Sequence, residues 1–157
     1  MRPNPPSSRT LGPGAMSERR IDVFFYGLFM DMGILRAGGV AEPANPRRAF
    51  VDDFELRIGQ RATLVPVADS RVYGMLFALT HSELDLLYAA PGLEAYRAEA
   101  VVAQPFDEIV TPALCYNLRH PPCADEWNSG YASRLQEILA RLNFPEAYVA
   151  AVSKRAA

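Results

Sequence analysis

The sequence predicts an α+β fold in which one small sheet carries packed helices. About six short segments carry strand patterns, with one helix pattern inserted among them and two more at the end. Their spacing is too irregular for repeated βαβ units. The chain has 157 residues, 50% hydrophobic and 22% charged, which is enough for one substantial core.

Composition divides the chain into two parts. Residues 1–19 are rich in proline, glycine and serine and hold little apolar surface, so they are predicted to form a flexible N-terminal extension. Residues 20–157 are predicted to form the folded domain. No apolar run approaches the roughly 20 residues that cross a bilayer, and no signal-peptide core is visible. We therefore expect a cytoplasmic protein.

The first strand is predicted over residues 21–26 and runs directly into Gly27. A glycine that interrupts an apolar strand indicates a bulge, a strand end or a close approach to the backbone. The approaching group is either another strand or a ligand. A short helix or turn is expected next, over residues 30–39.

The middle of the chain carries three strand patterns, over residues 48–58, 62–66 and 71–79. The first alternates apolar with charged residues, as a half-buried strand does. The third contains Gly74 at its centre, which repeats the question raised by the earlier glycine.

A helix is predicted to start at Thr80, which forms a capping box with Glu83, and to stop at the Pro-Gly pair of residues 91–92. Two strands are predicted after it, over residues 96–105 and 112–118.

The C-terminal tail is predicted to be helical. Asn128 or Ser129 is expected to cap its first helix, and Pro145 is expected to open a short last one.

The charge and motif content exclude several functions. A net charge of −2 and a pI near 5.7 argue against binding nucleic acid or an anionic membrane. Cys115 and Cys123 are expected to be reduced thiols. His120 with Cys123 is only half of a zinc ligand set, so no metal is predicted. No dinucleotide, P-loop or serine-hydrolase motif occurs, and no cofactor is predicted.

Four stretches, "FYGLFM", "VYGMLFAL", "LDLLYAAPGLEAYRAEAVV" and "NSGYASRLQEILARLNFPEAYVAAV", occur in an order that resembles the gamma-glutamylcyclotransferase-like family, also called AIG2-like. The resemblance covers roughly residues 21–150. The matching residues are Tyr26, Gly27, Val72, Gly74, Leu84, Asp85, Tyr96, Arg97, Ser129, Tyr131, Pro145 and Tyr148. It implies a mixed or antiparallel sheet curled toward a barrel, with a pocket beside the Gly27 loop.

The resemblance also implies a reaction: cyclisation of a gamma-glutamyl amine or amino acid to 5-oxoproline with release of the amine, as in glutathione-related metabolism. The implied substrate-binding residues are Tyr26, Gly27, Leu28, Phe29, Met30, Tyr96 and Tyr131. The loop would offer backbone N–H groups to a substrate carboxylate, and Gly27 would let the anion come close.

The chain departs from the family at the position of its general base. Tyr88 stands where the family has the catalytic Glu, and a phenol with a pKa near 10 is a poor base at neutral pH. Glu94, the preferred replacement, or Glu99 would have to serve instead. Leu28 is a second departure, because the family has a hydroxyl residue there.

Two functions therefore stay open. A gamma-glutamyl cyclotransferase would need a carboxyl group facing the cavity, with Glu94 as general base. A catalytically inactive small-molecule-binding homologue would keep Tyr88, Tyr96 and Tyr131 around a cavity without an acid. The pattern determines neither the ligand nor the oligomeric state.

Overall fold

A computed structural model describes residues 18–154. Almost all of the predicted N-terminal extension, residues 1–19, therefore lies outside the described residues. The strands are β1 (Arg20–Phe25), β2 (Ala44–Ile58), β3 (Ala62–Thr80), β4 (Tyr96–Pro105) and β5 (Thr111–Leu118). The helices are α1 (Met32–Ala37), α2 (His81–Leu87), α3 (Ser129–Arg141) and α4 (Glu146–Lys154), and a 3-10 turn spans Leu28–Met30.

The five strands close into a barrel in the order β1-β3-β2-β4-β5. Strand β1 is antiparallel to β3 and parallel to β5, where Val23 faces Leu114. The remaining pairs are antiparallel, so the sheet is mixed. This confirms the α+β class and the barrel that the resemblance implied.

The two strands predicted over residues 62–66 and 71–79 are one continuous strand, and the prediction of a break was wrong. Strand β3 pairs with β2 on both sides of a register shift near Asp53. Asp53 and Asp69 take left-handed φ values of 68° and 63°, and the Asp69 N–H donates to the Asp53 carboxylate at 3.0 Å. Aspartate tolerates this conformation, so a sequence typical of a turn forms a bulge instead.

The core lies on both faces of the barrel wall and includes residues of the strands and of all four helices. Leu76 and Phe77 follow each other in β3 and point to opposite faces, yet both are fully buried, as is Phe24 opposite Leu76. Gly74 lies against Phe24, and a Cβ at Gly74 would collide with the Phe25 carbonyl oxygen and the Phe24 ring. This second glycine is therefore required for the close approach of two strands.

The predicted helix starts are confirmed. The Thr80 side chain accepts from the Glu83 N–H at 3.1 Å, while the Glu83 carboxylate accepts from the Thr80 N–H at 2.9 Å. Asn128, rather than Ser129, caps α3. Helix α2 stops four residues before Pro91, at Leu87. No helix of the described part is long and apolar enough to cross a membrane.

An outer aromatic cluster joins the C-terminal helices to the outside of the barrel. Its members are Phe50, Tyr73, Phe106, Phe144 and Tyr148, with ring centroids 5.0–6.3 Å apart. The Arg71 guanidinium lies 3.7 Å from the centroid of the Phe50 ring, and Arg48 lies 4.8 Å from that of Phe106. Mutual ring contact and cation–π attraction hold this cluster closed.

Candidate functional site

A cavity of about 300 Å³ opens beside the Gly27 loop, between the 3-10 turn, the end of α2 and the start of α3. Five tyrosines line it: Tyr26, Tyr88, Tyr96, Tyr116 and Tyr131. Its polar remainder consists of Gln60, Arg61 and Arg134, and its apolar part includes Leu28, Phe29, Ile34 and Leu93.

Most of the substrate-binding residues that the resemblance implied lie together here. Gly27, Leu28 and Phe29 line the cavity with the tyrosines, whereas Met30 does not. Met30 is buried in the core, and its N–H is bonded to the Gly27 carbonyl at 3.0 Å. The 3-10 turn therefore directs this side chain away from the cavity.

Gly27 permits a close approach, but the approaching group belongs to the protein. The Tyr131 hydroxyl lies so near Gly27 that a Cβ there would collide with it. Burial raises the pKa of Tyr131 to about 12, while a hydrogen bond from the Leu28 backbone and the charge of Arg134 act in the opposite direction. The Tyr131 hydroxyl thus lies against the loop that was predicted to bind a ligand carboxylate.

Two tyrosines are fixed to the cavity wall through backbone carbonyls. The Tyr26 hydroxyl donates to the Tyr116 carbonyl at 2.7 Å and approaches that of Ala62 at 3.4 Å. The Tyr96 hydroxyl also donates to the Ala62 carbonyl. Burial raises the pKa of both phenols well above 10, so both stay protonated at neutral pH.

A buried polar pair holds these carbonyls in place. The Thr63 hydroxyl accepts from the Leu118 N–H at 2.9 Å, and the Asn117 side-chain oxygen accepts from the Leu64 N–H at 3.2 Å. Because these residues directly follow Ala62 and Tyr116, they fix β3 against β5 beneath the cavity. Partnered polar groups of this kind make a buried wall rigid.

Tyr88 stands among other aromatic rings. It stacks on Tyr116, with centroids 4.0 Å apart and planes 10° from parallel, and contacts Tyr96 at 6.0 Å and Phe29 at 5.9 Å. Burial, followed by the neighbouring Cys115, raises its pKa well above 10. Within the described residues no hydrogen bond joins its hydroxyl to the protein.

The two candidate bases lie outside the cavity. The Glu94 side chain is exposed and accepts from the Gly92 N–H at 3.0 Å in its own loop, while the neighbouring Leu93 lines the cavity. Glu99 accepts from the Asn117 side-chain amide at 2.8 Å. No aspartate or glutamate within residues 18–154 lines the cavity.

The charges that do line the cavity are positive. Arg61 and Arg134 are both exposed, and their charges counteract the burial that raises the pKa of Tyr96 and Tyr131, respectively. Neither guanidinium forms an ion pair within the described part of the chain. Two cations are therefore free to meet an anion.

Sequence reasoning missed Arg61, Arg134 and Tyr116. Arg61 stands in the turn between β2 and β3, and Arg134 lies one helical turn beyond Tyr131. Tyr116 lies in β5, and nothing in the sequence distinguishes it from other strand residues. No local signal marks these three, because only the closed barrel brings them to one cavity.

Comparisons with known proteins give structural similarity only. No protein-family model matches this sequence, and no curated protein matches it. Among solved structures, YkqA from Bacillus subtilis is similar at a TM-score of 0.74 and 19% identity, over 90% of this chain and 56% of that one. This chain thus spans little more than half of YkqA.

Two further structures are similar over most of both chains. A gamma-glutamyl cyclotransferase gives a TM-score of 0.70 at 16% identity, over 86% of this chain and 87% of that one. The gamma-glutamyl cyclotransferase specific to glutathione from yeast gives 0.64 at 12% identity, over 89% and 96%. The chain therefore has a gamma-glutamyl cyclotransferase-like fold, as its motifs predicted.

Proposed function

We propose that this protein binds a small anionic molecule in the tyrosine-lined cavity and does not cyclise gamma-glutamyl compounds. The observation that carries the proposal is the composition of the cavity wall. Five tyrosines and two arginines line it, and no carboxylate of the described residues does.

The missing carboxylate matters because of what cyclisation requires. The α-ammonium of a gamma-glutamyl compound must lose a proton before its nitrogen can attack the side-chain carbonyl carbon. A base close to that ammonium, with a pKa near the working pH, is needed. Tyr88 stands at the position that the resemblance assigns to the family's Glu, and it is a protonated phenol at neutral pH, because burial raises its pKa well above 10.

Glu94 is poorly placed to act as the general base of a gamma-glutamyl cyclotransferase. It is exposed, and its carboxylate is held by the N–H of Gly92, two residues earlier. A general base must reach the proton that it abstracts, directly or through one water. Glu94 would have to leave this contact and turn past Leu93 to do so.

The proposal is tested by measuring 5-oxoproline release from gamma-glutamyl amino acids, glutathione and gamma-glutamyl amines. We expect no release from the wild type. Tyr88→Glu places a carboxyl group in the cavity, where burial raises its pKa toward neutrality, and is expected to produce release. Tyr88→Gln is the matched control, since glutamine has the same shape as glutamate but its side-chain amide is not a base.

Two results would contradict the proposal and identify a catalytic base instead. Release from the wild type that disappears in Glu94→Gln would establish a cyclotransferase with a relocated base. Release that survives Glu94→Gln but disappears in Glu99→Gln would assign the base to β4. Either result would overturn the proposal.

A further inference from the structure

We infer that the ligand of this cavity is an aromatic carboxylate without a free ammonium group, such as an arylalkanoate. The inference rests on the proposed function and goes further by naming the class of ligand. It follows from three features of the cavity wall: its hydrogen-bond donors, its charges and its rings.

The first feature is an excess of donors. The Ala62 and Tyr116 carbonyl oxygens are already occupied by the Tyr26 and Tyr96 hydroxyls. The hydroxyl proton of Tyr131 remains available, because this hydroxyl donates no hydrogen bond to the protein within the described residues, although it lines the cavity. A carboxylate has only acceptors and matches such a wall.

The Tyr88 hydroxyl adds a further donor. It lines the cavity, and no hydrogen bond within the described residues joins it to the protein. This hydroxyl is not among the buried, unpartnered side-chain atoms of the described residues, so it can donate to water in the cavity or to a ligand. A carboxylate oxygen of the ligand would accept this hydrogen bond in place of water, and it would lie at the edge of the Tyr88–Tyr116 stack.

The second feature is charge. The cavity presents two guanidinium groups, Arg61 and Arg134, which form no ion pair among the described residues. An arginine fork binds carboxylates well. An ammonium would find no carboxylate partner and would be repelled by both cations. The wall therefore selects against α-amino acids, gamma-glutamyl compounds included.

The third feature is the set of rings. Phe29 meets the Tyr88 ring edge to face, and Tyr96 lies tilted to it, next to apolar Ile34 and Leu93. Aromatic rings attract another ring in offset or edge-on geometry. A volume near 300 Å³ is at the small end for ligand sites, which suits one ring with a short acidic chain.

The test is a matched series of compounds titrated against the full chain by calorimetry. 3-Phenylpropionate is compared with phenylalanine, which adds only the ammonium, and with 3-phenylpropylamine, 3-phenylpropan-1-ol and propionate. We expect 3-phenylpropionate to bind more tightly than each of the others by about tenfold or more, a factor typical of one charged hydrogen bond.

Variants locate the binding site. Arg61→Gln and Arg134→Gln are each expected to weaken 3-phenylpropionate binding about tenfold. Arg36→Gln is the matched control, because Arg36 is exposed on α1 and does not line the cavity. Unfolding midpoints of all variants are recorded, so that a folding defect is not mistaken for lost affinity.

Three outcomes would overturn the inference. Phenylalanine or a gamma-glutamyl amine that binds as tightly as 3-phenylpropionate would show that the cavity does not select against an ammonium group. Tighter binding of 3-phenylpropylamine would show a cation-binding cage instead. Absence of binding by the whole series would reject the class. Release of 5-oxoproline by the wild type is a separate result and would reject the proposed function itself.

Discussion

The cavity tyrosines and the outer aromatic cluster are built from similar aromatic residues, but the first set borders an open cavity and the second is packed. In the outer cluster, rings contact rings at 5.0–6.3 Å, and two arginines lie over their faces. In the cavity, Tyr26 and Tyr96 are bonded through their hydroxyls to backbone carbonyls of the wall. The first arrangement fills space, and the second holds space open.

The difference shows what keeps an aromatic cavity from collapsing. Rings left to themselves pack together, because interiors approach crystal-like density. A hydroxyl fixed to a carbonyl at Ala62 or Tyr116 holds its ring in place, and Thr63 with Asn117 fixes those carbonyls in turn. Anchoring to the backbone, rather than aromatic content, distinguishes the cavity wall from the packed outer cluster.

The largest effect on stability is expected in the outer cluster. Phe144 is buried and contacts the rings of Tyr73 and Phe106. Phe144→Ala should lower the free energy of unfolding by about 3–4 kcal/mol, measured by urea denaturation, because it leaves a hole in packed rings. Ligand affinity of the folded variant should stay unchanged. A loss below about 1 kcal/mol would show that the cluster is loosely packed.

The next effect concerns Gly27. Gly27→Ala should cost about 2 kcal/mol in urea denaturation, because the new methyl group collides with the Tyr131 hydroxyl. Tyr131→Phe in the same chain should recover most of this loss, since the ring carbon Cζ lies 3.5 Å away at ordinary contact distance.

Gly130→Ala is the control for that pair. Its new Cβ would meet only the Asn128 side-chain oxygen at 3.5 Å, so it should leave stability nearly unchanged or slightly raised. If the double variant were no more stable than Gly27→Ala alone, the collision with Tyr131 would not be the reason for the glycine.

A smaller effect is expected at Tyr88. Tyr88→Leu should lower the free energy of unfolding by about 1–2 kcal/mol, less than Phe144→Ala, because part of the ring borders open space. The free energy of binding 3-phenylpropionate should change by more than the free energy of unfolding does. Equal stability losses for the two variants would remove the distinction between the two clusters.

The smallest effect appears only in alkali. The folded pKa of Tyr131, about 12, lies above the unfolded value near 10, so its contribution is complete below pH 10 and is lost as pH rises toward 12. Between pH 9 and 10.5, Tyr131→Phe should lose less stability than the wild type, by under about 1 kcal/mol. Parallel urea curves for both proteins would contradict a buried phenol.

Much of the fold could be predicted from local chemistry. The period-two pattern identified β2, the residues 96–105 matched β4, and the Thr80–Glu83 pair fixed the start of α2. The break expected inside β3 was wrong, since aspartates at positions 53 and 69 form a bulge as readily as a turn. Local preference alone does not distinguish these two outcomes.

The sequence by itself determined the α+β class and the start of α2 at Thr80, and it limited Gly27 to a bulge, a strand end or a close approach, because each depends on neighbouring residues. Only the tertiary structure decided that the approaching group is Tyr131, and that Arg61 and Arg134 line the cavity while Glu94 does not. The direction of a side chain depends on strand register and on where a helix ends. Those are fixed by contacts between residues far apart in the chain, which no short motif records.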